Sequence, residues 1–390
     1  MRASGTRAAK LLQLVHQRPG ISRADATREI GVGTGAATEL VAALSAGALI
    51  TESPAPPSGG RGRPTTVLGT HPAGPVVIAV SITYRAWRAE AVGIGGATVA
   101  STGAAHRGRS AARAMEHVDA SLQEMREQFG SRVRGVGVSA PGIVRDGRLL
   151  DATTVGWKNV DLTTLARNGE ILVAGNDATL AAAAEWARGN AVGSTCALHL
   201  RVDAGLGGGV LDNGVVFKGA GGVAGEFGHM PLGDREVRCP CGAFGCWGNS
   251  VDGSALARLL GVAEPADSVA FFEQVAGRAA AGDGAALAAV TEVSARLGRG
   301  IAGLVNGLDV DVVTVGGLAT SMLDLAADRI QREYLDGLMT FRRRTAPPIL
   351  PAALAEDGPL VGAAESVWTE LWEPLVSRQP SVAAPRGVSR

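Results

Sequence analysis

Residues 225–248 read Gly-Glu-Phe-Gly-His-Met-Pro-Leu-Gly-Asp-Arg-Glu-Val-Arg-Cys-Pro-Cys-Gly-Ala-Phe-Gly-Cys-Trp-Gly. Three of the chain's four cysteines, Cys239, Cys241 and Cys246, stand here, behind His229, one of six histidines. Three potential thiolates and one imidazole complete a tetrahedral set for a structural Zn2+ ion, with no position left open for a catalytic water. Gly242 and Gly245 allow the tight turns that bring closely spaced thiolates together. The plainer alternative is a group of unrelated buried thiols, which such tight, glycine-punctuated clustering argues against.

Around this stretch the chain is long and apolar. Its 390 residues predict two or three domains, and 46% hydrophobic against 4% aromatic residues predicts cores of Ala, Val, Leu and Ile. The formal net charge is zero, but residues 1–65 hold eight Arg/Lys against four Asp/Glu, a local excess of +4. Clustered reduced thiols fit a cytoplasmic protein rather than a disulfide framework. No apolar stretch is long enough to span a bilayer, and Leu11-Leu12-Gln13-Leu14-Val15 is too short for a signal peptide.

The basic N-terminal region has a helical pattern. Leu11, Leu12, Leu14 and Val15 recur at helical spacing up to Pro19-Gly20. Ser22-Arg23-Ala24-Asp25 predicts an N-cap opening a second helix to Ile30, and Gly31 breaks it. A third helix is predicted over 34–46, with Leu40, Val41 and Leu44 on one face and a strand beginning at Leu49-Ile50. Three short helices with a glycine turn between the last two form a helix-turn-helix leading into a wing. The segment 54–64 ends in Gly60-Arg61-Gly62-Arg63-Pro64, where two arginines flanked by glycine suit insertion into a narrow minor groove; a flexible linker has the same composition. The proposed recognition helix presents Thr34, Thr38 and Glu39 without a basic residue. The expected partner is double-stranded DNA, with modest affinity per monomer and base contacts through hydroxyl, methyl and carboxylate groups.

Beyond the wing, apolar strands are predicted at 76–82, 89–92 and 98–102, a helix at 111–129, and a strand at 133–138 that ends at Ser139-Ala140-Pro141-Gly142. A strand at 171–174 leads to Asn176-Asp177 and an alanine-rich helix over 179–188. A second round begins with a strand at 196–202 and a glycine-rich hairpin at 205–214. It closes with a strand at 310–315 and a helix over 321–334. Strands followed by alternating helix and strand, twice over, predict an α/β architecture of two related lobes around a cleft.

The order of these features, from the helix-turn-helix and Gly-Arg-Gly-Arg-Pro through Pro141-Gly142, Gly156-Trp157, Asn176-Asp177, Gly225-Glu226-Phe227-Gly228-His229 and Cys-x-Cys-Gly-x-x-Gly-Cys, resembles the ROK family of repressors, open reading frames and sugar kinases. The resemblance covers about residues 7–375. It implies an α/β, two-lobed, actin-like ATPase fold preceded by an all-α winged helix-turn-helix domain. The expected division is a DNA-binding head over 1–53, a wing and linker over 54–70, an effector and oligomerisation body over 71–375, and a disordered tail over 376–390. A homodimer or homotetramer is implied as well.

The resemblance also assigns roles. Asn176-Asp177 matches the family's sugar-binding and general-base pair, although an aspartate here could also merely cap the following helix. Glu226 and His229 match further sugar contacts, so His229 would use one ring nitrogen for zinc and the other toward sugar. The phosphate loops depart from the kinase pattern. Ser81 stands where kinases carry an aspartate, Thr83 where they carry a glycine, and Asp203-Ala204 where they carry Gly-Thr. Gly248 replaces a sugar-gripping glutamate and Thr154 an asparagine. These departures predict a transcriptional regulator of carbohydrate-related genes, a repressor answering to a sugar or sugar derivative, with kinase activity lost and Asp177 a vestigial base. The alternatives are an ATP-dependent sugar kinase with an appended head, and a regulator without an effector.

Overall fold

In a computed structural model the protein is described over residues 6–55, 66–106, 110–152 and 155–377. The N-terminal part contains α1 (Arg7–Gln17), β1 (Ile21–Ser22), α2 (Arg23–Ile30), α3 (Thr34–Ala46), β2 (Ile50–Pro54) and β3 (Thr66–Thr70). Ser22 caps α2 by accepting from the Asp25 amide at 3.0 Å, and Gly31 ends it in the left-handed region at φ 67°. The helices thus fall where their caps and apolar spacing predict. The expectation of an all-α head needs correction, because β1, β3 and β2 form a three-stranded antiparallel sheet. Residues 66–70, assigned to the linker, pair along the whole of β2 and so belong to the head. The Gly-Arg-Gly-Arg-Pro segment with Arg61 and Arg63 lies outside the described residues, as do 378–390.

The first lobe follows with β4 (Val76–Ile82), β5 (Ala86–Gly93), β6 (Thr98–Ala105), α4 (Ala111–Phe129), β7 (Val133–Ala140), β8 (Ile143–Arg145), β9 (Arg148–Ala152), β10 (Trp157–Asp161), β11 (Ile171–Asn176) and α5 (Asp177–Arg188). The second has β12 (Cys196–Val202), β13 (Leu206–Asp212), β14 (Val215–Val216), α6 (Gly253–Leu260), α7 (Ser268–Ala280), α8 (Gly284–Leu308), β15 (Val312–Gly317), α9 (Leu318–Gly337) and β16 (Ile349–Pro351). The closing α10 (Gly358–Ser377) returns to the first lobe. The two five-stranded sheets run β11-β7-β4-β5-β6 and β14-β13-β12-β15-β16. In each, the first strand in sequence pairs antiparallel with the second and parallel with the fourth, so the two lobes share one plan. The glycine-rich stretch predicted as a hairpin over 205–214 is mostly strand: Gly207, Gly208 and Gly209 pair along β12, and the turn sits at 203–205. Those glycines let α5 pack closely on β13.

The head shares a hydrophobic core with the body. Leu11, Leu12, Leu14 and Val15 of α1 pack in one buried cluster with Val77 and Ala79 of β4 and with Trp368, Leu371 and Trp372 of α10. A polar group is enclosed at the same junction. The His16 Nδ1 accepts from the Gly95 amide at 2.9 Å, and its Nε2 lies 2.9 Å from Glu365 Oε2 and 2.6 Å from Arg188 Nη2. Arg188 donates from Nε to Glu365 Oε1 at 2.5 Å. Burial opposes ionisation of Glu365, yet His16 and Arg188 hold its carboxyl below the usual range. Against the same α10, Gly362 lies so close to α5 that an added Cβ would sit 1.8 Å from the Leu180 carbonyl oxygen.

Candidate functional site

The stretch 225–248 lies between β14 and α6 as a loop tied by its own backbone. Trp247 N donates to Met230 O at 2.8 Å, Gly233 N to Gly245 O at 2.9 Å and Cys239 N to Ala243 O at 2.8 Å. Gly225, at φ 101°, approaches the Gly208 carbonyl to a distance that leaves no room for a Cβ. The loop brings together all four predicted metal ligands. His229 Nδ1 is 3.8 Å from Cys239 Sγ, Cys241 Sγ is 3.7 Å from Cys246 Sγ, and the four ligand atoms all lie within 4.8 Å of one another. Tetrahedral thiolates at the Zn–S bond length would be about 3.8 Å apart, and a disulfide would need about 2.05 Å, so the donors fit one tetrahedral ion and not a disulfide. The other ring nitrogen, Nε2, faces Glu226 Oε2 at 3.7 Å, so the imidazole joins the thiol cluster to the cleft.

Asn176 and Asp177 stand where parallel strand β11 passes into α5. Asn176 Oδ1 accepts from the Ala178 and Thr179 amides at 2.9 and 3.1 Å, and its Nδ2 donates to Gly142 O at 3.0 Å. The helix cap is therefore Asn176. Its carboxamide oxygen is committed to the backbone, which leaves Asn176 chiefly a positioning residue for its neighbour. Withdrawal from water raises the Asp177 carboxyl above the usual range, against the pull of Arg201. Glu226 is raised by the same cause, opposed by His229 and reinforced by Asp177. The two carboxyls are close enough for the Asp177 charge to add to the rise at Glu226. A Cβ added at Gly248 would lie 3.1 Å from the Leu206 nitrogen and 3.4 Å from the Gly228 carbonyl oxygen. Thr154 lies outside the described residues.

The phosphate loops fold onto themselves. After β4, Thr83 Oγ1 accepts from the Arg85 and Ala86 amides at 3.3 and 3.1 Å, and the Thr83 amide donates to Ala86 O at 2.8 Å. The amides that would cradle a phosphate are engaged by a side chain. Ser81 is buried within β4. Tyr84 and Arg85 reach across to Asp267 at the start of α7, Arg85 Nη2 at 2.6 Å. In the second loop, Asp203 accepts from Arg201 Nε at 2.6 Å, and Arg201 Nη2 donates to Glu356 at 2.6 Å. Desolvation lifts the Asp203 carboxyl to about 6 against the pull of Arg201. With 39% of its side chain exposed, that shift contributes little stability. Ala204 completes the tight turn and offers no hydroxyl. Arg201 is the residue that sequence patterning missed. It sits inside an apolar strand, and only the fold shows that it faces three carboxylates, those of Asp177, Asp203 and Glu356.

On the head, Thr34, Thr38 and Glu39 are exposed on α3, as a recognition helix requires. The Thr38 hydroxyl donates to Thr34 O at 2.9 Å and accepts from Arg23 Nη2 at 2.6 Å. Arg23, read from sequence only as part of a cap, is thus the basic group beside the helix. Glu52 holds its other amine at 2.9 Å.

A small head on a two-lobed, actin-like body with a histidine–cysteine loop defines a recognisable class. The profile of the ROK family matches residues 93–370, and the chain belongs to that family. It is 28% identical over 257 residues to the glucokinase of Streptomyces coelicolor, covering 61% of this chain and 81% of that enzyme. It is 28% identical over 215 residues to the xylose repressor of Caldicellulosiruptor bescii, covering 51% of this chain and 54% of that one. Among solved structures, a ROK family transcriptional regulator homologous to the E. coli MLC protein superposes with a TM-score of 0.75 at 21% identity, over 95% of this chain and 97% of the other. A Streptomyces griseus ROK glucokinase in complex with glucose and AMPPNP gives 0.63 at 27% identity, over 75% and 98%. The relatives therefore include both repressors and sugar kinases. No helix among the described residues is long and apolar enough to cross a membrane.

Proposed function

We propose that this protein is a DNA-binding transcriptional regulator, a repressor of carbohydrate-related genes, whose effector is a sugar or sugar derivative and which does not transfer phosphate. The observation that carries this is the course of α5. The helix begins at Asn176-Asp177 in the effector cleft and ends at Arg188, which holds Glu365 against His16 of the head. A change at one end of a rigid helix is felt at the other, and a ligand shifts DNA affinity by its differential binding to the two settings. Thr34, Thr38 and Glu39, together with Arg23, would face DNA, and Arg61 and Arg63 would supply the minor-groove contact. A homodimer or homotetramer would place two such heads on paired half-sites.

In the cleft, Asp177 and Glu226 would bind sugar hydroxyls, and a Zn2+ ion held by His229, Cys239, Cys241 and Cys246 would fix the loop that carries Glu226. Against the kinase alternative stand the Thr83 hydroxyl on the loop amides and Asp203 in the second loop. Retardation of promoter DNA at low salt, reversed by a sugar from a panel of pentoses and hexoses, is the expected result. Failure to retard DNA at 50 mM salt removes the regulator reading, and steady ADP release from Mg-ATP with any hexose removes the non-enzyme reading.

A further inference from the structure

A cavity of about 650 Å³ opens beside the effector residues and is lined both by them and by the head. Asn176, Thr179 and Glu226 line it, and so do Gln13, His16 and Gln17 of α1. Its course can be read from α5. Thr179, Leu180, Ala183, Trp186 and Ala187 all border it, one face of the helix from its first turn to its last. From Asn176 to Ala187 that is about 16 Å at the helical rise, longer than a single sugar ring. The volume points the same way, because pockets of about 300–1,000 Å³ enclose ligands of several rings, and one pyranose would leave most of this space to water.

The lining suits carbohydrate beyond the first ring. Half-buried Trp186 and Phe217, the latter 57% exposed, offer aromatic surface to the apolar C–H faces of a sugar. Gln13 and Gln17 have no hydrogen-bond partner for their carboxamides among the described residues, and each offers donors and acceptors to hydroxyls. Four acidic residues, Asp146, Glu226, Glu365 and Glu370, border the space against Arg145 and Lys218. Three of the acids already face a base, Asp146 facing Arg145, Glu226 facing His229, and Glu365 facing His16 and Arg188, which favours an uncharged ligand.

We propose that the effector is a neutral oligosaccharide of two or three sugars. Its first unit binds at Glu226, beside Asn176 at the start of α5, and the rest lies over Trp186 and Phe217 and reaches Gln13 and Gln17 of the head. This rests on the sugar-effector reading above and narrows it. Such a ligand touches body and head at once, so it sets the head by direct contact, whereas a monosaccharide could act only through the lobes.

The test is titration calorimetry on the full chain with glucose, xylose, maltose, cellobiose, xylobiose and maltotriose, repeated on Phe217→Ala, Gln17→Ala and Glu226→Gln. At least one oligosaccharide should bind tenfold or more tightly than its own monosaccharide. Phe217→Ala and Gln17→Ala should each remove most of that advantage while the monosaccharide affinity stays put. Glu226→Gln should weaken both ligands. Phe217 and Gln17 are exposed, so their truncation leaves the core intact. If a monosaccharide binds as well as every oligosaccharide, or the advantage survives both truncations, the extended site is refuted and the sugar-effector reading stands. If no sugar of the panel binds, both fall.

Discussion

The cleft of this protein has two sides built from the same two lobes, and they differ in what their polar groups face. On the histidine–cysteine side, Glu226 and the second nitrogen of His229 lie 3.7 Å apart on a loop tied by its own backbone, and Glu226 borders an open cavity. On the side of the 81–85 and 203–205 loops, polar groups face each other: the Thr83 hydroxyl meets the loop amides, Arg85 meets Asp267, and Arg201 meets Asp203 and Glu356. One side leaves a carboxylate beside a cavity, and the other satisfies its polar groups internally.

The contrast can be broken most severely from the histidine–cysteine side. Chelation, or Cys246→Ala, should unfold the 225–248 loop and lower the midpoint of thermal unfolding by ten degrees or more. Structural zinc in small sites contributes roughly 10 kcal/mol, and the loop has little regular structure of its own. Elemental analysis should find one zinc per chain, and an unchanged melting curve after chelation would refute the metal. On the opposite side, Arg201→Ala leaves Asp203 and Asp177 without their cation. It should cost about 1–3 kcal/mol in urea unfolding, since Asp203 and Glu356 are 39% and 77% exposed and can rehydrate, while the desolvated Asp177 loses its cation.

A comparable effect comes from Asp252, which follows the 225–248 loop and caps α6. It accepts from the Ala255 amide at 2.9 Å and is 3% exposed. Burial raises its carboxyl to about 6, against that hydrogen bond. An acid raised in the folded state contributes stability that is full below its unfolded pKa, near 3.8, and is lost as pH rises through 6. Asp252→Asn keeps the cap and removes the titration. From pH 7 to pH 4 the wild type should therefore gain up to about 3 kcal/mol on the variant, read from urea unfolding at each pH. The smallest effect sharpens the comparison. Arg85→Ala opens the exposed pair with Asp267 and should cost less than about 1 kcal/mol, while leaving sugar affinity unchanged.

Much of this was legible in the sequence, for local reasons. The convergence of His229 with the three cysteines, Ser22 as a cap, Gly31 as a stop and the central strands of both lobes follow from spacing and turn chemistry, whereas β8, β9, β10 and β16 were not foreseen. What escaped was non-local. Arg201, in an apolar strand, gave no sign of three carboxylates arriving from distant segments. Glu365 lies 349 residues from His16. The sheet of the head was hidden because β1 has two residues and β3 lies beyond a glycine-rich stretch that interrupts any hairpin pattern. The sequence offered Asp177 as the cap of α5, whereas Asn176 caps it through the Ala178 and Thr179 amides and Asp177 shares only the Ala178 amide.

The approach of Gly362 to Leu180 has a mechanical meaning. Where two helices touch backbone to backbone there is no side chain between them to yield, so α5 and α10 move as a single beam. Along its 12 residues α5 is about 18 Å long, and a tilt of about 5° at its Asp177 end would displace the far end by about 1.5 Å. The head is fastened at that far end. Spin labels on Lys10 and Lys158 should report that displacement when sugar binds, and Gly362→Ala, by prying the beam apart, should abolish it.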